Sequence, residues 1–410
     1  MSFTYKIQKG DTIERISRRF FGSEVNANEI LNANPDISDD LIIGSDIIIP
    51  DLANKPQDRL FNVTSNNINE VSLLINNVRF RFWDTIRINR NIDSIDTIEF
   101  TAPFDANDQN FRRLFKPFSF QSVSVFVGSE ILFKGTLISV NTDITETTKT
   151  LSVGCYSLPG VLNDCTAPAS SYPLEYNNLG LRDIAQYIVS PFGISVEFLS
   201  DQGAVFERVA CDVDRSILDF LSDLAKQRNL IISNSKDGKL TFLRGTQSGG
   251  AVANLIQGNS PLLSITSFFS EQDYYSHVTG IEPVVTGTQG SQYTVKNSRL
   301  NNVVRPLTFT AQDTIEGNIQ QAVEAKISRM FGNMVSYELI VDTWQDSQGN
   351  LWEPNTNIFI NAPDVMIYSK YEFTIRSIKF EREANQEKAT LNVVLVGSFS
   401  GNIPSFLPWD

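Results

Sequence analysis

Residues 179–243, LGLRDIAQYIVSPFGISVEFLSDQGAVFERVACDVDRSILDFLSDLAKQRNLIISNSKDGKLTFL, decide the fold class. Leu181, Ile184, Ala185 and Ile188 recur at the spacing of a one-faced helix. Pro191-Phe192-Gly193 stops it, and Ile194, Val196 and Phe198 alternate as a strand. A second helix follows, capped by Asp214 or Ser216, with Ile217, Phe220, Leu221, Leu224 and Ala225 on one face. Leu230 to Ile232, a turn at Lys236-Asp237-Gly238-Lys239, and Leu240 to Leu243 read as a hairpin. This is a compact α+β module between two β-rich blocks, and none of its residues points to chemistry.

The 410 residues suffice for several domains. With 41% hydrophobic and 20% charged residues the composition is globular, and the 28 Phe favour strands and interfaces. The 47 acidic residues exceed the 34 basic ones, for a net charge of -13. That argues against nucleic-acid or anionic-membrane partners held by counterion release. It does not exclude a lumen that nucleic acid passes through without sticking. The start, Met1 to Lys6, carries no signal-peptide pattern, and no apolar run approaches the ~20 residues that span a bilayer. Cys155, Cys165 and Cys211 are read as reduced thiols of a cytoplasmically folded chain, with a Cys155–Cys165 disulfide as the alternative.

Outward to the N-terminus, Tyr5-Lys6-Ile7 reads as a strand. Asp11 as N-cap with Glu14 makes a capping-box pattern, Ile13, Ile16 and Phe20 form a buried face, and Gly22 ends the helix. Glu29 to Asn34 is a second helix stopped by Pro35, and Asp46 to Ile49 closes the module as a strand. The stretches YKIQKGDTI, ILNANPDI and LIIGSDIIIP resemble the LysM family over Tyr5 to Pro50. That resemblance implies a shallow groove for N-acetylglucosamine-containing glycans or for a docking protein, formed by Gly10, Asp11, Thr12, Asn34, Pro35 and Ile37.

Residues 51–64 read as a linker. Strands are expected at Val71 to Leu74, at Val78 to Phe82, at Ser122 to Val127, at Ile131 to Phe133, at Gly135 to Val140 and at Leu151 to Tyr156. Asp-Thr-Ile-Glu occurs at Asp11, Asp96 and Asp313; the first and third precede helices, and the second leads into a strand. After a Gly-rich joint at Gly245 to Gly250, strands return at Leu262 to Phe269 and His277 to Val284. Gly287 to Asn302 reads as an excursion without regular structure. A helix capped by Asp313 and Glu316 buries Ile315, Ile319, Ala322, Val323, Ile327 and Met330. Four strands follow up to Val396. The tail, Asn402 to Asp410, carries Ile403, Phe406, Leu407 and Trp409, and reads equally as a docking peptide or as packing on its own domain.

Catalytic patterns are missing. His277 is the single histidine, which rules out serine-triad and Cys-His zinc arrangements, and no Gly-rich loop precedes a helix. Asp342, Asp346 and Gly349 lack the terminal glutamate of a calcium loop and read as a turn. The expectation is a protein without enzyme activity, cofactor or metal.

From Phe100 onward the chain resembles baseplate hub proteins of contractile phage tails, in FTAPFD (100–105), FRRLFKPF (111–118), LFKGT (132–136), CYSLPGVL (155–162), Ile217 to Ser233 and LWEPN (351–355). The resemblance covers most of Val71 to Phe399 and implies a mainly β fold with an α+β insert. The division it suggests is a LysM domain (1–52), a linker (53–64), a first tail-tube-like β-barrel (65–165), the α+β module (166–245), a linker (246–260), a second such barrel (261–400) and the tail (401–410). It implies a homotrimer whose paired barrels make a pseudo-sixfold ring joining tail tube protein to central spike protein. Wedge proteins and the tape measure protein are further implied partners, within a virion baseplate assembled in the host cytoplasm. The alternative is a LysM protein that binds or degrades peptidoglycan.

Overall fold

Short β-branched runs punctuated by Asn-Asn and Gly turns dictate mostly strands. The structure, a computed structural model, describes residues 3–7, 11–21, 27–35, 41–50, 70–80, 82–104, 106–282, 290–300, 302–310, 319–383, 386–400 and 406–410. The chain divides into two compact units, Met1–Asp84 with Glu99–Tyr156, and Thr85–Ile98 with Ser157–Asp410.

In the first unit β1 (Phe3–Lys6), α1 (Ile13–Phe21), α2 (Ala27–Ala33) and β2 (Asp46–Ile49) form the expected β-α-α-β module. β1 and β2 pair antiparallel, and Ile7, Ile13, Ile16, Ile30, Ile47 and Ile49 form their own small core. Gly22 and the 53–64 linker lie outside the described residues, as does the Phe20 side chain. Next come β3 (Val71–Ile75) and β4 (Val78–Phe80), joined by Asn76-Asn77, both with positive φ (49 and 63). Asn tolerates that left-handed geometry, which matches the twist of a two-residue hairpin. β5 (Thr85–Asn91) belongs to the second unit. β6 (Thr97–Pro103), α3 (Gln109–Leu114), β7 (Ser122–Val127), β8 (Glu130–Ile144) and β9 (Lys149–Ser157) complete the first block, in the order β6-β9-β8-β7-β3-β4. The sequence reading missed α3. Asp108 caps it by accepting from the Asn110 and Phe111 amides (2.8 and 3.3 Å), and Phe111 and Phe115 pack on Phe80 and Phe100.

The second unit holds the α+β module: α4 (Val161–Asp164), β10 (Glu175–Leu179), α5 (Leu181–Val189), β11 (Val196–Phe198), β12 (Phe206–Ala210), α6 (Ile217–Gln227), β13 (Ile231–Asn234) and β14 (Leu240–Leu243). Ser216, rather than Asp214, caps α6 through the Asp219 amide (3.2 Å). The predicted apolar faces of α5 and α6 are buried together against β13 and β14. β10 and β12 form a ribbon that the sequence did not announce.

Then follow β15 (Ala253–Ile256), β16 (Leu262–Phe269), β17 (His277–Ile281), β18 (Gln292–Lys296), β19 (Pro306–Thr310), α7 (Ile319–Met334), β20 (Val335–Val341), β21 (Asn357–Ala362), β22 (Ile367–Glu383) and β23 (Gln386–Leu395). Two expectations need correction. Residues 246–260 are not only a linker, because β15 pairs in parallel with β21 and buries Ala253 and Leu255. The excursion at Gly287 to Asn302 contains β18, which pairs with β17 while β19 flanks the other edge. Tyr293 and Val295 alternate with polar neighbours over only five residues, too short a pattern to stand out. α7 buries Val323 and Ile327, with Ala322 and Met330 half-buried; Asp313, Ile315 and Glu316 lie outside the described residues.

The two β blocks share a strand order. In the first, β6-β9-β8-β7-β3 are neighbours; in the second, β20-β23-β22-β21-β15. Taken in chain order, the strands occupy equivalent places, and each block centres on its longest strand, β8 (15 residues) or β22 (17 residues), folded onto its successor. The blocks also differ: β4 extends the first beyond β3, the β18-β17-β19 sheet interrupts the second, β3 runs antiparallel to β7 whereas β15 runs parallel to β21, and each helix occupies a different connection.

One charged cluster is buried within the second unit. The Arg90 guanidinium reaches Asp96 (3.2 Å) and Glu353 (2.5 Å), with side-chain exposures of 5% for Arg90 and 2% for Asp96. Asp96 also accepts from the Asn91 amide (3.0 Å) and the Asn234 side chain (3.0 Å), and its own amide donates to Asn234 (2.7 Å). Burial outweighs these contacts and pushes the Asp96 carboxyl up to about 6, while its two carboxylate neighbours hold Arg90 firmly charged against the same burial. Arg90→Leu strands the carboxylate without a cation and is expected to cost about 3–5 kcal/mol. The double variant Arg90→Leu/Asp96→Asn should recover part of that loss, as read from denaturant midpoints.

Candidate functional site

The small N-terminal module holds the residues expected to form a groove. Thr12, not Asp11, is the cap of α1: its hydroxyl accepts from the Arg15 amide (3.3 Å) and its carbonyl from the Ile16 amide (2.8 Å). Asp11 instead accepts the Tyr5 hydroxyl (2.7 Å), which ties the loop to β1. Glu14, in the first helical turn, is held below the ordinary carboxylate range, first by a backbone N–H and then by the Thr12 hydroxyl.

Asn34 sits just past α2 and acts as a clasp. Its side-chain amide donates to the Ile30 carbonyl (2.7 Å) and the Ile48 carbonyl (2.6 Å), and its oxygen accepts from the Ile48 amide (2.7 Å). It therefore mimics a strand residue on the free edge of β2 and spends both donors doing so. Pro35 follows, exposed. Gly10 and Ile37 lie outside the described residues. Of the expected residues, Asp11, Thr12 and Asn34 thus all hold the module together. Sequence reasoning passed over a more open feature: Ile42, Ile43 and Ile48 are 75%, 62% and 45% exposed.

Elsewhere the chemistry is structural. His277 lies on β17, half-buried, with its Nδ1 2.9 Å from the Ser276 hydroxyl. Cys155, Cys165 and Cys211 are free thiols, so the disulfide alternative fails, and burial pushes Cys155 far above its ordinary range. Among the described residues no cluster of metal-ligating side chains occurs. Asp346 closes a turn by accepting from the Gln348 and Asn350 amides (2.8 and 3.0 Å), as a turn residue does.

Phe406–Asp410 of the tail packs on its own unit, the second of the two expected roles. Asp410 makes a two-pronged pair with Arg299 (2.8 and 2.7 Å), and the Tyr371 hydroxyl donates to the Phe406 carbonyl (2.6 Å). The Arg299 guanidinium, and then the Leu407 amide, push the Asp410 carboxyl down to about 2. Ile403 lies outside the described residues.

Comparisons with known proteins fit this architecture. Residues 159–244 match the family model described as baseplate hub protein gp44-like, second domain, and residues 5–50 match the LysM domain. Baseplate hub protein gp44 of Escherichia phage Mu is 23% identical over 312 residues, covering 72% of this chain and 79% of that protein. The 43 kDa tail protein of prophage MuSo2 from Shewanella oneidensis superposes with a TM-score of 0.70 at 24% identity, over 80% of this chain and 99% of that one. The tail protein from Neisseria meningitidis gives a TM-score of 0.69 at 17% identity, over 81% and 98%. The resemblance read from sequence, a baseplate hub body with an N-terminal LysM domain, is borne out.

Asn34→Ala removes three hydrogen bonds around Ile48 and should destabilise the N-terminal module by about 1–3 kcal/mol. Hydrogen exchange of the full chain should show faster exchange at Ile48 and the β1–β2 ladder, with α5 and α6 unchanged.

Proposed function

We propose that this chain, a LysM-bearing relative of the phage Mu baseplate hub protein, is a structural hub of a contractile tail, forming a trimeric ring between tail tube and central spike. The observation that carries the reading is the shared strand order of the two β blocks. Two equivalent blocks per subunit let three subunits present six similar faces. Such a ring mates with a sixfold tube protein on one side and a threefold spike protein on the other. Wedge proteins and the tape measure protein are the remaining neighbours in this scheme, and the virion baseplate is its setting. The acidic excess, -13 over the chain, suits a lumen through which DNA slides, since like charge discourages adhesion. No catalytic step belongs to this reading.

The LysM domain docks on a protein neighbour in this proposal. Asn34, Thr12 and Asp11 are engaged within the module, and the exposed Ile42, Ile43 and Ile48 suit an apolar protein contact better than a sugar hydroxyl. Glycan binding is the second reading, favoured by the family match over residues 5–50.

Mass measurement of the purified chain, alone and with its spike protein, is expected to give three copies in at least one condition; a monomer in both contradicts the ring. A peptidoglycan pull-down decides the LysM role. The docking reading expects no retention on peptidoglycan, and expects an Ile42→Asp/Ile43→Asp variant to block baseplate assembly; retention together with normal assembly would favour the glycan.

A further inference from the structure

Two phenylalanines of the first unit stand in solvent on a strained loop. Between α3 and β7 the chain reads Lys116-Pro117-Phe118-Ser119-Phe120-Gln121, and Phe118 and Phe120 are 94% and 64% exposed. Both hold a positive φ, 59 and 47. That left-handed backbone suits Gly or Asn, and in an aromatic residue it stores energy. The loop is nonetheless pinned. The Leu137 amide of β8 donates to the Gln121 carbonyl (2.9 Å), and the Ser119 hydroxyl donates to the Lys116 carbonyl (2.6 Å). Just before the rings in sequence, Arg112, Arg113 and Lys116 are all exposed, and none makes an ion pair among the described residues. A cationic, aromatic knob on a chain of net charge -13 suits an apolar surface with an acidic margin.

The second unit carries such a surface. β16 ends its sheet: among the described residues its ladder runs to β20 alone, from Leu262 to Phe269. On it Leu263 and Phe268 are 61% and 49% exposed. An apolar edge of this length is one that soluble proteins cover or charge. Directly beyond it come Glu271, exposed, and Asp273, half-buried, neither in an ion pair among the described residues. Unpaired cations on one surface thus match unpaired carboxylates on the other. We propose that these surfaces are the two halves of one joint between copies of this chain. The Phe118–Phe120 loop of one protomer seats on β16 of the next, with Arg112, Arg113 and Lys116 turned to Glu271 and Asp273. Burying the two rings offsets the strain that the free loop holds. A joint of two unlike surfaces passes from copy to copy until the circle closes. Each surface belongs to a single unit of its own protomer. The inference rests on the ring proposed above and names the surfaces that build it.

The test follows the mass of the full chain over a dilution series, in whichever condition, alone or with its spike protein, gives three copies. Phe118→Ser/Phe120→Ser should weaken association roughly tenfold or more. It should leave the melting temperature of the unassembled chain unchanged, because both rings stand in solvent there. Arg112→Glu/Arg113→Glu and Glu271→Arg/Asp273→Arg should each weaken association as well, by setting like charges against each other. Combining both reversals in one chain should restore it, an outcome that a merely structural role for these residues would not give. Undiminished association of the Phe118→Ser/Phe120→Ser chain, or no recovery in the combined reversal, overturns the joint and leaves the ring standing, the loop then serving a different neighbour such as the tube protein. Single copies of the unaltered chain in both conditions overturn ring and joint together.

Discussion

A guanidinium taken out of water needs its charge met, and in the second unit Asp96 and Glu353 meet that of Arg90. Arg90 on β5 is 4% exposed. Meeting its charge draws together the β5–β6 turn through Asp96, the end of β13 through Asn234, and the approach to β21 through Glu353. Three stretches far apart in sequence are thereby held in one register. Around the cluster the packing is apolar: Ile92, Ile231, Leu243, Val394 and Phe399 form a small core joining the α+β module to the β22–β23 hairpin. Such a cluster contributes little net stability compared with a hydrophobic substitute, so its value lies in fixing one arrangement.

The repeated strand order is what the proposed ring rests on. Each block is built on one long strand doubling back on its neighbour, β8 on β9 and β22 on β23. The two blocks share this order of strands. Where β3 and β15 run in opposite senses relative to their partners, the blocks depart from each other. Similar but unequal blocks are what a threefold assembly needs if it is to resemble a sixfold one.

Much of this was readable from residues alone, where periodicity is strong and local. The helices α5 and α6, the β13–β14 hairpin and the β-α-α-β module follow directly from apolar spacing and caps. The α3 helix was missed because Phe111, Phe115 and the Asp108 cap span barely two turns. β15 and β18 were missed because four or five residues of alternation do not rise above a loop. For the functional surface, sequence marked Asp11, Thr12 and Asn34, and the structure gives each of them a holding role within the module. Their polar groups serve the module's own backbone, and only geometry reveals that Asn34 spans α2 and β2. Nothing local connects Arg90 to Glu353, or Arg299 to Asp410, because the partners lie 263 and 111 residues apart.

The central proposal, that two similar blocks per chain let threefold symmetry imitate sixfold, is tested most directly by an electron cryo-microscopy reconstruction of the particle's baseplate with threefold symmetry imposed. The account predicts a ring in which the β8–β9 and β22–β23 hairpins alternate at equal spacing and equal radius around the channel, six in all. A ring with three hairpins on the channel and three elsewhere, or a chain outside the tube axis altogether, would contradict it.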